Sequence, residues 1–190
     1  MKSPAINLDK LSTRDRILET AARLFYAEGV RGVGIDRIIA DSQVAKASFY
    51  RHFPSKDDLV LAFLHLRHER WMNWFTQQLE ARCHDQGPAF ERVAEVLQAW
   101  FVEPDFRGCA FINTLAEGGL PGEAVSLVQS HKDELQDCLQ ALARRIGHPA
   151  PKRAAEEAML IVEGAIVRAH MTDDPGVATT ARRLLAQIAK

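Results

Sequence analysis

A chain of 190 residues that is 47% hydrophobic and 26% charged holds enough apolar material for a packed core and too much for disorder. Its net charge of −1 excludes a protein that holds nucleic acid through bulk positive charge. No apolar run reaches the roughly eighteen residues of a membrane span, and the first residues lack an apolar secretory core, so a cytoplasmic protein without membrane contact is expected.

The charge is unevenly spread. Residues 1–60 hold ten Lys/Arg against eight Asp/Glu, and residues 61–190 hold fourteen against seventeen. Such a balance suits a chain that meets DNA through a small patch and uses most of its length for something else. Cys83, Cys109 and Cys138 are odd in number and form no C-x-x-C pair, which points to reduced thiols rather than a disulfide frame or a zinc site.

In chain order, residues 1–11 read as a mobile arm. Ser12 and Asp15 form an S-x-x-D capping box, and Ile17, Leu18, Ala21, Leu24 and Phe25 give the apolar stripe of a first helix. Gly29 sits where a helix ends in a left-handed residue. Two short helices follow, Ile35 to Asp41 and Ala45 to His52, joined by a tight turn. Ile35, Ile38 and Ile39 point inward on the first, and Val44 and Phe49 on the second. Lys46, Ala47, Ser48, Tyr50 and Arg51 are left outside. A short helix that shows water a small residue, hydroxyls and two cations is poorly made for burial. It is well made for a major groove, where side chains reach base edges.

The stretch AKASFYRHFPSKDDL carries Tyr50, His52, Phe53, Ser55, Lys56, Asp57 and Asp58. It closely resembles the recognition helix of TetR-family transcriptional regulators, and RDRILETAARLFYAEGV extends the resemblance back to Arg14. The likeness covers about the first sixty residues. It implies an N-terminal helix-turn-helix domain, here 1–56, followed by a helical effector-binding and dimerisation domain, 57–190. It further implies a homodimer on a palindromic double-stranded operator, acting as a repressor and released by a small effector. Candidate DNA contacts are Arg37, Lys46, Ala47, Ser48, Tyr50, Arg51, His52 and Lys56. Two departures stand out. Gln43 occupies a turn position where the family carries Gly, a strain of about 1 kcal/mol. Ala45 stands where Ser or Thr would cap the recognition helix, a loss of roughly 1 kcal/mol.

Pro54 closes the second short helix, and Ser55 with Asp58 makes another capping box. A long helix is predicted to about Cys83. Further helices are predicted from Pro88 to Val102, Phe106 to Glu117, Pro121 to Gly147, Lys152 to Met171 and Gly176 to Ala189. No stretch alternates with period two, so the chain reads as all-α with about nine helices.

The middle helices are rich in aromatic residues. The resemblance implies an apolar cavity among them for a small apolar or aromatic effector, with Trp71, Phe75, Trp100, Cys109, Asn113, Glu117, His131 and His170 as candidate contacts. Plain core is the competing reading for each. Cys109 follows Arg107 and Gly108 near a predicted helix start, where a thiol becomes reactive. His65 and His68 are spaced for a metal but lack a third ligand, so no metal and no cofactor are expected. On the last two helices Ala158, Val162, Ala165, Ala169, Leu184 and Leu185 read as a dimerisation face, Gly164 allowing close approach. No catalytic motif is present, which argues against an enzyme. The alternative is a helical ligand-binding or protein-interaction module with weak or vestigial DNA binding.

Overall fold

The computed structural model describes residues 10–188. The predicted arm lies outside the described residues except for Lys10 and Leu11, as does Ala189. Among the described residues the chain forms nine helices and no strand. They are α1 (Thr13–Glu28), α2 (Ile35–Ser42), α3 (Lys46–His52), α4 (Lys56–Gln86), α5 (Glu91–Phe101), α6 (Ala110–Glu117), α7 (Gly122–Arg145), α8 (Pro151–Thr172) and α9 (Val177–Ile188). No described helix is long and apolar enough to cross a membrane.

The helix boundaries follow from local chemistry. Before α1, the Asp15 amide donates to Ser12 Oγ at 3.2 Å and the Ser12 hydroxyl donates to the Asp15 carboxylate at 2.7 Å, which satisfies one of the unpaired N-terminal amides. The Gly29 amide ends the same helix by donating to the Phe25 carbonyl. Ser55 and Asp58 form the equivalent pair before α4: the Asp58 amide donates to Ser55 Oγ at 3.1 Å and the Ser55 amide to the Asp58 carboxylate at 3.0 Å. Pro151 opens α8 from its first turn, where its missing N–H is of no consequence.

Three boundaries differ from the sequence reading by three residues or more, and one of them is the end of α4, which runs on to Gln86 past the expected Cys83. The helix expected from Phe106 starts only at Ala110, because Gly108 takes φ +73° and breaks the helical run. The helix expected from Pro88 begins at Glu91.

The described residues group into two compact units. One comprises residues 10–69 with 110–129, and the other 70–109 with 130–188. Packing therefore divides the chain at other points than the single 56/57 boundary read from the sequence. Both α4 and α7 give residues to each unit, and α6 belongs with the N-terminal one. That unit is built on fully buried Ile17, Leu24, Ile38, Phe49, Leu59 and Phe63, with Phe25 and Phe63 edge to face at 5.5 Å. In the other unit α5, α8 and α9 pack on one another. The seam is closed by small and branched residues, Ala154, Ala158, Val162, Val93, Leu97 and Leu185, all buried. Burying one such Val or Leu contributes about 1.5–3 kcal/mol relative to leaving it in water.

Candidate functional site

The turn between α2 and α3 is made by Gln43, whose φ of 54° and ψ of 43° are left-handed. This is the conformation in which a glycine would be unstrained, as the sequence reading expected. The Gln43 amide donates to the Ala40 carbonyl at 3.1 Å. Ser42 is fully buried, and its hydroxyl donates to the Ile38 carbonyl at 2.6 Å, so the hydroxyl is not left unpaired inside the core. Ala45 takes the cap position of α3 and supplies no side-chain cap.

Of the seven residues of α3, Phe49 alone is buried. It meets Tyr50 edge to face at 5.3 Å and Phe53 at 6.3 Å. Lys46, Ala47, Tyr50 and Arg51 are exposed, and Ser48 and His52 are half-buried. One anchored aromatic with an exposed polar face is the arrangement a groove-reading helix requires. Lys56, at the start of α4, is half-buried with its ammonium 6.0 Å from the centre of the Phe25 ring.

The cations of this face have partners within the protein. Lys46 Nζ lies 3.2 Å from Asp36 on α2, and the hydrogen bond to that carboxylate, followed by its charge, raises the Lys46 pKa. Arg51 donates to Ser48 Oγ at 3.0 Å. Arg37 donates through both terminal nitrogens to the Glu28 carboxylate, one contact being 2.9 Å, and sits 3.9 Å from Asp41. Hydrogen bonding to Glu28, then its charge, raises the Arg37 pKa. Arg37 thus braces α2 against the end of α1, a contact the sequence did not announce. Asp36 was also missed: its link to Lys46 crosses the turn and has no helical spacing.

Glu117 lies elsewhere than among the effector residues. At the end of α6 its carboxylate accepts from the Val30 amide at 2.9 Å and the Arg31 amide at 2.5 Å. A side chain added at Gly29, which has φ +82°, would come within 2.9 Å of that carboxylate, so both conformation and space require glycine there. Glu117 therefore pins the turn that follows α1, and its two oxygens are taken up by backbone. Asn113 is half-buried in the same unit.

The remaining effector candidates fall in the other unit, and four of them share one cluster. Trp71 stacks on Phe75 at 4.9 Å and meets Trp100 and His131 edge to face, both at 5.5 Å. Trp100 meets Phe106 at 5.1 Å, and Phe106 meets His170 at 6.2 Å. Trp71 is 4% exposed, and its indole N–H has no acceptor among the described residues. Cys109 is buried with its sulfur 3.5 Å from Lys132 Nζ, and that ammonium also pairs with Glu163 at 3.0 Å. His170 is exposed, and Gly108 beside it takes φ +73°, a conformation that favours glycine; a side chain added there would also come within 2.7 Å of His170 Nδ1.

The proposed dimerisation residues are placed differently from one another. Ala158, Val162, Ala165, Ala169 and Leu185 are buried within the single chain, so their faces are already used by its own core. Leu184 is 41% exposed. The exposed side of α8 instead carries Leu160, Gly164, Val167 and Met171, one turn apart each, with Leu160 and Met171 both 74% exposed. The spacing was legible in the sequence; which of two apolar stripes the core would take was not.

A family model described as bacterial regulatory proteins of the tetR family matches residues 17–63. LmrA, an HTH-type transcriptional regulator of Bacillus subtilis, is 32% identical over 123 residues, which is 64% of this chain and 60% of LmrA. The chain thus spans less than two thirds of that relative's length. The crystal structure of a TetR-family transcriptional regulator from Streptomyces coelicolor is 33% identical, covers 93% of this chain and 94% of its own, and superposes with a TM-score of 0.79. The reduced form of Escherichia coli NemR, 20% identical over 93% of this chain and 97% of its own, has a TM-score of 0.78 and shares the fold. A vestigial DNA-binding module is not favoured by relatives described as regulators. With a helix-turn-helix built on one buried phenylalanine and a full-length match above 30% identity to a solved member, the chain belongs to the TetR family of transcriptional regulators.

Proposed function

We propose that this protein binds a palindromic operator as a homodimer through α3, represses transcription there, and lets go when a small aromatic or apolar effector enters the cluster around Trp71. The observation that carries the reading is the surface of α3: Phe49 holds the helix in place while Lys46, Ala47, Tyr50 and Arg51 face solvent. Lys46 is assigned to base edges, Tyr50 and Lys56 to the backbone, and Arg51, Ser48 and His52 to the groove rim. Ala47 leaves room for close approach. Arg37 is assigned to phosphate through the N–H donors that its pair with Glu28 leaves over.

A two-fold dimer is what a helix-turn-helix reading half-sites needs. The stripe of Leu160, Gly164, Val167 and Met171 supports α8 as the contact, since a side chain added at Gly164 would meet nothing within 4 Å and a partner helix has room to approach. The Trp71 N–H supports an effector that is flat, apolar and equipped with one acceptor, because a buried unpaired donor costs about 1–3 kcal/mol that such a group recovers. Binding there weakens DNA affinity only insofar as the effector prefers a conformation that holds DNA less well. Cys109, Asn113, His131 and His170 remain candidates for its rim.

Two lysines test the reading. Lys46→Ala is expected to lose about 1–3 kcal/mol on the operator and relax preference at one base pair per half-site. Lys56→Ala is expected to weaken operator and random duplex alike and to lower the salt slope by about 1 per subunit. Titration of both variants against the two duplexes at several salt concentrations decides it. Equal loss by Lys46→Ala on every sequence would make Lys46 a phosphate contact.

A further inference from the structure

An acidic side chain on a DNA-facing surface is an electrostatic liability, because every nearby phosphate repels it. The other two carboxylates around α2, Glu28 and Asp41, are matched by arginines: Glu28 by Arg37, and Asp41 by Arg23 at 3.5 Å. Asp36 differs from both. It projects from the first turn of α2, its side chain is 87% exposed, and its ion-pair partner is Lys46, 65% exposed at the first position of α3. An exposed pair of this kind contributes little to folding stability. Its geometry is what distinguishes it. The donor Lys46 Nζ and the acceptor Asp36 Oδ1 stand side by side, 3.2 Å apart.

A G·C base pair presents the complementary order to the major groove. Guanine offers acceptors at N7 and O6, and cytosine offers the N4 amino donor beside them. O6 and N4 are joined by a Watson–Crick hydrogen bond and so lie about 3 Å apart. A donor and an acceptor with that separation meet both bases at once. We propose that Asp36 and Lys46 together read one G·C pair in each half-site, Lys46 donating to guanine O6 and N7 and Asp36 accepting from cytosine N4. The inference rests on the reading that α3 enters the major groove. It adds a residue of α2 to the sequence-reading set and gives the base that Lys46 selects a partner on the opposite strand. The same pairing explains why an aspartate is tolerated at the interface. It penalises non-specific contact, where it meets phosphate, and is repaid on the cognate base pair alone, which widens discrimination.

The test is selection from a duplex library by the full-length protein, followed by sequencing of the bound fraction, for the wild type, Asp36→Ala and Asp36→Asn. Both substitutions are at an exposed position, and circular dichroism checks that the helices are retained. The wild type is expected to enrich G·C at one position of each half-site. Asp36→Ala is expected to lose about tenfold of that preference while the other positions keep theirs. Asp36→Asn, which carries a donor as well as an acceptor and suits adenine N6 and N7, is expected to move the preference at that position toward A·T. If Asp36→Ala binds all duplexes more tightly with its base preferences unchanged, Asp36 is only a repulsive charge and the pairing is overturned. Enrichment of any other base pair at the position Asp36 controls overturns it as well. A wild type that retains no duplex removes the DNA-binding reading and this inference with it.

Discussion

In α3 one side chain of seven is buried, and the exposed cations Lys46 and Arg51 are held by Asp36 and Ser48 on the protein's own surface. Around Trp71 the balance is reversed: Trp71, Phe75, Trp100, Phe106 and His131 are all buried, and ring contacts replace ion pairs. The difference follows from what each region meets. A groove reader must keep its polar groups available, so its stability rests on a single anchor and on contacts from behind. A buried aromatic cluster keeps its polar groups few, as the one indole N–H of Trp71 illustrates. The first region is consequently fragile to changes beneath it and tolerant of changes on it.

The largest effect expected from this contrast is at the anchor. Phe49→Ala removes a fully buried ring and is expected to cost about 3–5 kcal/mol of N-terminal unit stability. Thermal unfolding followed by circular dichroism reads it. A loss below 1 kcal/mol would mean that α3 is held by its neighbours and not by Phe49.

Next in size is the brace from α6. Glu117→Ala removes the acceptor of the Val30 and Arg31 amides and is expected to cost roughly 1–3 kcal/mol, since the bonds are charge-assisted but half-open to water. Hydrogen exchange at these two amides should accelerate, and Glu117→Gln should restore part of the protection. Unchanged exchange would show that the turn holds itself and that α6 does not steady it.

Smaller gains are expected at the α2–α3 turn, where Gln43 is left-handed and Ala45 gives no side-chain cap. Gln43→Gly relieves a left-handed residue, and Ala45→Ser supplies the absent cap, each stabilising by about 1 kcal/mol or less. The two changes are two residues apart, so their sum is a measurement and not an assumption. If neither raises the midpoint of denaturant unfolding, the softness of the turn is compensated elsewhere.

The last effect shows only at alkaline pH and belongs to Cys138 on α7, which is half-buried and lies outside the ring contacts around Trp71. Burial, reinforced by Glu80, pushes the Cys138 thiol up to about 11. An unfolded thiol titrates near ~8.5. The folded value is the higher one, so burying the neutral thiol contributes stability that is complete below about 8.5 and is lost as pH rises through about 11. Cys138→Ala should flatten that part of the stability curve, and an alkylating reagent at pH 8 should leave Cys138 unmodified in the folded protein. Rapid alkylation there would place the thiol in water.

What the sequence determined by itself was local. The two S-x-x-D boxes act within three residues of each other, and the helix starts they announce at Ser12 and Ser55 needed no tertiary information. The all-α class followed from the absence of period-two alternation, and the α2–turn–α3 motif from a contiguous run of residues whose order survives in any conformation. Even the strain at Gln43 was readable, because the resemblance to the TetR family places a glycine at that turn position. Tertiary structure decided whatever depends on residues distant in the chain or on a choice between two faces. Glu117 was read as an effector contact because an acid in an apolar run suggests a ligand, whereas its partners are amides 86 and 87 residues away. Of the two apolar stripes on α8, the one carrying Ala158, Val162, Ala165 and Ala169 went to the chain's own core, because small side chains let α5 and α9 pack closely. The stripe of Leu160, Val167 and Met171 remained outside. Nothing in the order of residues ranks those two faces; only the neighbours that cover one of them do.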